Sequence, residues 1–169
     1  NCWSITDNNS SGQTWMIGAI TGESPNPALT GNYAYLNSDD YGSGNSQNSD
    51  LVSPVFDLTA YSSVTLSFKH YFRQYSTSSS GTLSYSLNGG STWTSIQSWT
   101  ATSANPATFS QTITALAGQS QVRLKWNYTG TWAYYWGVDD IQLTGTGGSP
   151  TFAVTPSNQS VAAATGNTT

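Results

Sequence analysis

The sequence predicts an all-β protein, a two-sheet antiparallel β-sandwich, and three observations carry that prediction. Charged residues make up only 7% of the 169-residue chain, while aromatics make up 13%. Exposed helix faces draw on Glu, Lys, Leu and Ala, yet the chain holds one Glu and two Lys. Ser, Thr and Asn outside, with Tyr, Trp and Val inside, suit strands joined by polar turns. The third observation is alternation with period two. Val64, Leu66 and Phe68 point one way and Thr65, Ser67 and Lys69 the other; Val122, Leu124 and Trp126 alternate in the same way with Arg123, Lys125 and Asn127. One buried and one wet face per strand is the pattern of a sandwich.

The elements follow in order. An N-terminal strand lies around Trp3, followed by strands near 32–37, 50–58, 63–72, 81–88, 92–100, 106–114, 121–129 and 134–145. NGGS at 88–91 is a hairpin turn, since Asn-Gly tolerates the positive φ such turns need. TGTGGSP at 144–150 has the composition of a linker. TFAVTPSNQSVAAATGNTT after it holds too few apolar residues for a core of its own. Residues 1–145 are therefore read as one binding module, and 146–169 as a linker and the start of a truncated following module. The abrupt opening on NCWSITD points to a piece of a larger modular protein.

Several classes are excluded. A net charge of −4 and a pI near 4.4 do not suit nucleic acid, whose phosphates demand a basic face. No run reaches the roughly 18 apolar residues of a membrane span. Cys2 is alone and forms no internal disulfide. A secreted or cell-surface location is expected from composition, with the module a monomer tethered to others. Calcium is the natural alternative staple for an extracellular β domain.

CWSITDNNSSGQTW, GNYAYLNSDD, SDLVSPVFDLTAYSSVTLSF, LSYSLNGGSTWT and YYWGVDDIQL occur in that order. Together they resemble the cleaved-adhesin, MAM-like type of jelly roll, also called choice-of-anchor J, of secreted Bacteroidetes proteins. The likeness covers about residues 1–145, and the tail is similar to the start of an immunoglobulin-like module. The resemblance implies a calcium-stabilised jelly roll that binds a partner and does no chemistry. Similar jelly rolls serve as carbohydrate-binding modules, and the fold alone does not choose between sugar and protein partners.

Two acidic stretches are candidate calcium ligands. Asp7, Asn9 and Ser11 alternate before Gly12, which reads either as the first half of a calcium loop or as an Asx-rich turn. Asp139 and Asp140 are adjacent in a strand, so one faces inward, and no Lys or Arg lies near in sequence. A buried carboxylate without a cation is costly, and calcium would remove that cost. By resemblance, an Asp of this last-strand motif ties the N-terminal region to the final strand through the ion. Asp39 and Asp40 either add oxygens or shape a turn. The expected ligand set is Asp7, Asn9, Asp39, Asp40, Asp139 and Asp140.

Jelly-roll order brings four loops to one end: 37–48, 73–80, 100–106 and 129–135. They carry Tyr41, Tyr71, Arg73, Tyr75, Trp99, Tyr128, Trp132 and Tyr134 to one rim. Sugar rings stack their C–H faces on Trp and Tyr, while hydroxyls pair with Asn, Arg and Tyr. About half of these aromatics are expected to plug the end of the fold, with Trp132 and Tyr75 the least pluglike. The expected carbohydrate site is Tyr71, Arg73 and Tyr75 facing Trp132 and Tyr134, with Asn127 near the floor. Trp3, Trp15, Trp93, Trp126 and Trp136 are expected in the core.

The expected function is a non-catalytic module that binds a polysaccharide through loop aromatics. An adhesin-type protein-binding module is the alternative. A polysaccharide lyase is the remote one, since His70, Tyr71, Arg73 and Asn127 supply the residue types for proton abstraction beside a uronate. His70 shares parity with Val64, Leu66 and Phe68, which turns it inward.

Overall fold

The structure, a computed structural model, describes residues 2–75 and 79–147. The segment from 148 onward, with most of the linker and the following module expected there, lies outside the described residues. Ten strands form two antiparallel five-stranded sheets, with no α-helix among the described residues. They are β1 (Ser4–Asp7), β2 (Met16–Gly18), β3 (Tyr33–Asn37), β4 (Ser46–Val52) and β5 (Ser63–Phe72), then β6 (Ser80–Ser86), β7 (Thr94–Trp99), β8 (Ala107–Thr112), β9 (Arg123–Thr131) and β10 (Tyr135–Thr146). Sheet A runs β1-β4-β9-β6-β7 and sheet B runs β2-β3-β10-β5-β8. The jelly-roll sandwich read from the sequence is the observed fold.

Three details depart from the sequence reading. Strand β2 has three residues, too few for its alternation to show. β4 begins at Ser46, earlier than expected, and ends at Val52, with only a bridge from Phe56 to Val122 beyond it; Pro54 has no N–H to continue the ladder. β10 extends to Thr146, one residue into the segment read as linker.

The inner faces meet in a core of aromatic and branched residues. Trp15, Trp126, Trp136, Phe68 and Phe72 are fully buried with Leu36, Leu66, Leu83 and Leu124. Trp136 sits at its centre, 5.6 Å from Trp15, 5.2 Å from Trp99 and 5.9 Å from Phe72 between ring centroids. Gly81 makes room for it: a Cβ there would lie 2.7 Å from the Trp136 ring. Trp3 and Trp93 do not belong to this core as expected. Trp3 is 43% exposed at the open β1 edge. Trp93 is half-buried, with the Lys125 ammonium 4.6 Å over its ring.

Sheet B carries a second apolar layer on its outer face. The segment 19–32 between β2 and β3 covers Tyr33, Tyr71 and Tyr135 with Ile20 and Leu29. Hydrogen bonds pin it there: Ile20 N–H donates to the Tyr33 hydroxyl (2.7 Å), the Tyr135 hydroxyl donates to the Pro25 carbonyl, and Ala28 N–H donates to Asn105 Oδ1 (2.7 Å). Burial pushes the Tyr135 phenol up to about 12. Tyr71 is therefore 4% exposed and packs on Tyr135. Its rim placement is corrected by strand length, since β5 continues through Phe72 before turning.

His70 faces inward as its parity requires. It lies between Phe68, Trp99 and Trp136, with no hydrogen-bond partner for Nδ1. Burial disfavours the imidazolium and lowers its pKa to about 4. The folded state thus refuses a proton that the unfolded chain takes near 6.5. Stability is complete above about 6.5 and is lost as pH falls toward 4, by on the order of 3 kcal/mol. Thermal melts between pH 7 and 4.5 are expected to show this fall, and His70→Phe should flatten it. An equal slope in both proteins would show that His70 is not its source.

Candidate functional site

One end of the sandwich gathers the loops 8–15, 38–45, 100–106 and 132–134 and the described start of another, 73–75, because β1, β3, β5, β7 and β9 all end there. The four loops expected at one rim converge over their described residues. Residues 132–134 carry the chain from β9 in sheet A to β10 in sheet B, and each of those strands is central in its sheet. Four Cα steps reach about 14 Å, and packed sheets stand about 10 Å apart. Little slack remains.

That crossing is held at every residue. Trp132 N–H donates to the Asn45 carbonyl (3.4 Å) and Ala133 N–H to Ser38 Oγ (3.0 Å). Ser38 N–H and the Tyr128 hydroxyl both donate to the Tyr134 carbonyl, at 2.9 and 3.2 Å. Ser38 in turn donates to Gln47, whose side-chain N–H reaches Gln13. Trp132 takes a φ of +41°, a region that disfavours side chains other than glycine, and its indole is 46% exposed.

Tyr75 meets Trp132 from the neighbouring loop. The two rings lie 5.8 Å apart at 52°, and Tyr75 stands edge-on to Tyr134 at 5.5 Å and 89°. Tyr75 is 60% exposed. Its loop is tied back by Arg73 N–H to the Tyr135 carbonyl (2.8 Å) and by Gln74 N–H to Thr102 Oγ1 (3.0 Å). Beneath them, the Arg73 guanidinium lies 3.4 Å over the Tyr134 ring and 3.3 Å from the Glu23 carboxylate. Glu23 also accepts a hydrogen bond from Asn37 Nδ2 (3.1 Å). Arg73 and Glu23 are 15% and 12% exposed, so the guanidinium supports Tyr134 from below rather than reaching outward. Tilted aromatic pairs with a cation on one face are stable local units.

The six residues expected to bind carbohydrate therefore separate. Tyr75 and Trp132, both exposed, and the half-buried Tyr134 form one aromatic ledge with Arg73 as its support. Tyr71 is under the second apolar layer. Asn127 is on the outer face of sheet A, where its amide donates to Asn48 Oδ1 (2.9 Å) and Asp50 Oδ1 (2.6 Å). Asp50 also pairs with Lys125 at 3.4 Å, so Asn127 belongs to a closed polar ladder away from the rim. Tyr128 and Trp99 are plugs, packed against Phe72 and Phe68. Sequence reasoning missed Glu23, since its segment shows no periodicity that places it under Arg73.

The expected calcium ligands do not converge. Asp7 ends β1 in sheet A, Asp39 and Asp40 lie in a 3-10 turn (Asp39–Tyr41), and Asp139 and Asp140 lie in β10 of sheet B. No group of three or more His, Cys, Asp or Glu is placed to hold a metal among the described residues. The Asp7 carboxylate accepts Gly12 N–H (2.7 Å), Asn9 N–H (3.3 Å) and the Ser11 hydroxyl (3.5 Å). These bonds hold its pKa below the usual range, and 7–12 is a self-closed Asx turn.

A bulge resolves the Asp139–Asp140 pair. The register shifts between Asp139 and Gln142, and Asp140 takes a φ of +51°. Val138 and Ile141 can then both join the core, and neither carboxylate needs to point inward. Asp140 pairs with Lys69 across the strands at 2.8 Å. Asp139 accepts N–H bonds from Asp140 (2.8 Å) and Thr30 (3.3 Å). The cation that sequence proximity did not show arrives from β5. These residues do not fit one ion bridging Asp7 to the last strand.

No protein-family model and no curated sequence matches the chain. Solved structures do share its fold. The K1 cleaved adhesin domain of Lys-gingipain from Porphyromonas gingivalis has a TM-score of 0.63 at 17% identity, covering 86% of this chain and 91% of that one. TmCBM61, solved with β-1,4-galactotriose, has 0.57 at 12%, covering 85% and 88%. The C-terminal family 22 carbohydrate-binding module of Clostridium thermocellum Xyn10B has 0.52 at 8%, covering 87% of both chains. The fold is the jelly roll common to adhesin domains and carbohydrate-binding modules.

Chelation tests the metal question directly. An ion bound at a hundredfold excess over Kd stabilises by about 2.7 kcal/mol, a shift of roughly 5–11 °C in a protein this size. Melting in EDTA and in calcium is expected to coincide within about 1 °C. A shift of several degrees would show that a site forms after all.

Proposed function

We propose that this is a non-catalytic carbohydrate-binding module that holds a polysaccharide on the ledge of Tyr75, Trp132 and Tyr134. The observation that carries the reading is the Tyr75–Trp132 pair. Two strongly exposed rings from different loops meet at a tilt, and the backbone under Trp132 is pinned by hydrogen bonds. Rings exposed and fixed in this way suit the flat C–H faces of sugars. The jelly-roll neighbours include domains solved with sugars, which supports the same reading. The lyase alternative has no constellation to act through, because His70 and Tyr71 are buried and Asn127 lies elsewhere.

The module belongs, on this reading, to a larger secreted or cell-surface protein and acts as a tethered monomer. No helix among the described residues is long and apolar enough to cross a membrane.

A second reading has its own observation. Clefts of about 560 and 400 Å³ open between the sheets, one at the end away from the rim and one along the β1/β2 edge, both lined by Trp3 and Ile141. Exposed Ile5, Ile17 and Tyr61 lie at this side. Exposed apolar side chains beside clefts suit a protein partner better than a sugar, as the adhesin reading requires.

Trp132→Ala separates the two. Losing one stacked ring removes on the order of 1 kcal/mol or more, about tenfold in affinity, enough to end detectable binding by a weak module. Ala tolerates φ of +41° no better than Trp, and the ring is exposed, so the melting temperature should move by only about 1–2 °C. Affinity electrophoresis on soluble polysaccharides reads the result. Undiminished retardation of Trp132→Ala would sink the rim site, and unfolding would show the ring to be a plug.

A further inference from the structure

We infer that the rim takes an uncharged, hydroxyl-rich glycan and excludes uronate and sulfated polymers; this rests on the glycan reading given above. The charge arrangement carries the inference. Arg73 is the sole cation in the loops at this end. The strongest recognition of a carboxylate or sulfate comes from a guanidinium or ammonium free to offer its N–H groups. The Arg73 guanidinium is not free. One face is covered by Tyr134 at 3.4 Å, and Nη1 points at the Glu23 carboxylate.

Glu23 cannot easily be displaced by an incoming anion. It is held by Asn37 and sits on a segment tied down along its length by the Tyr33, Pro25 and Ala28 hydrogen bonds. An anionic sugar would have to break a half-buried pair and leave one carboxylate stranded, which is strongly unfavourable. The remaining charges of this end have the wrong sign. Asp39 and Asp40 are exposed on the loop that runs beside Trp132.

The other cations lie elsewhere. Lys69 pairs with Asp140 and Lys125 with Asp50, both on strands rather than at the rim, and Arg123 begins β9 at the end away from it. Exposed carboxylates accept hydrogen bonds from sugar hydroxyls while repelling a polyanion. Aromatic faces, acceptor oxygens and a silenced arginine together describe a site for neutral sugar.

The test is affinity electrophoresis of the intact chain against two sets of soluble polymers. β-Galactan, xylan and mixed-linkage β-glucan are neutral; polygalacturonate, alginate and dextran sulfate are acidic. At least one neutral polymer should retard the protein. Its affinity should change less than about twofold between 20 and 500 mM salt, because screening acts on charge. Each acidic polymer should bind at least about tenfold more weakly. Tight binding of an acidic polymer, lost with salt, overturns the inference while leaving the glycan reading standing. Binding of neither set overturns both.

Glu23→Gln examines the cause. Removing the carboxylate should release Arg73 and raise the affinity for polygalacturonate at least about tenfold, sensitive to salt. Continued rejection by a folded Glu23→Gln protein would contradict the role given to Glu23. Should that variant not fold, the wild-type panel decides alone.

Discussion

Three residues joining the central strand of one sheet to the central strand of the other set the form of this molecule. Ladders on both sides fix β9 and β10, and the sandwich spacing fixes the distance between them. The crossing at 132–134 must be nearly straight, so its side chains alternate without freedom to repack. Ala133 goes in, to 1% exposure, and Trp132 goes out. Ser38 and Asn45 bind the crossing's N–H groups, and the Tyr128 hydroxyl its last carbonyl. An unfavourable φ is tolerated because several hydrogen bonds over-determine it. The exposed indole follows from the connection itself.

Support for that ledge comes from an element with no secondary structure. The segment 19–32 covers the outer tyrosines of sheet B and delivers Glu23 beneath Arg73. Arg73 then fixes Tyr134, and Tyr134 fixes Tyr75. Packing on the outside of a sheet thus reaches the rim through one ion pair and two ring contacts. A chain with four cations has placed three of them in ion pairs. Its surface offers aromatic and hydroxyl chemistry in their place.

The fold was legible because period-two alternation in β5 and β9 is long and clean, and composition left no material for helices. The convergence of the rim loops and the exposure of Tyr75 and Trp132 followed from strand order. What failed was side-chain direction near strand ends. Tyr71 reads as loop-proximal but is covered by the segment 19–32, distant in sequence, whose irregular pattern predicts no contact. Asp139 and Asp140 read as one inward and one outward carboxylate because a bulge is invisible to alternation. The inward one read as lacking a cation because Lys69 is close in space and distant in sequence. Trp3 and Trp93 read as core from their positions in or beside strands, yet one sits at an open edge and the other under a lysine. Burial of a large ring depends on what lies opposite, which a single strand does not record.

Two surfaces of the sandwich stand in contrast: the aromatic ledge at the rim and the clefts around Trp3 and Ile141. The central claim is that ligand meets Trp132 and not Trp3 or the sheet-A face at Trp93. The seven tryptophans give separate indole N–H signals in a nitrogen-correlated NMR spectrum. Titration with a neutral oligosaccharide should shift the Trp132 indole first and furthest, leaving Trp3 and Trp93 unmoved. Movement of Trp93 or Trp3 with Trp132 stationary would contradict the account.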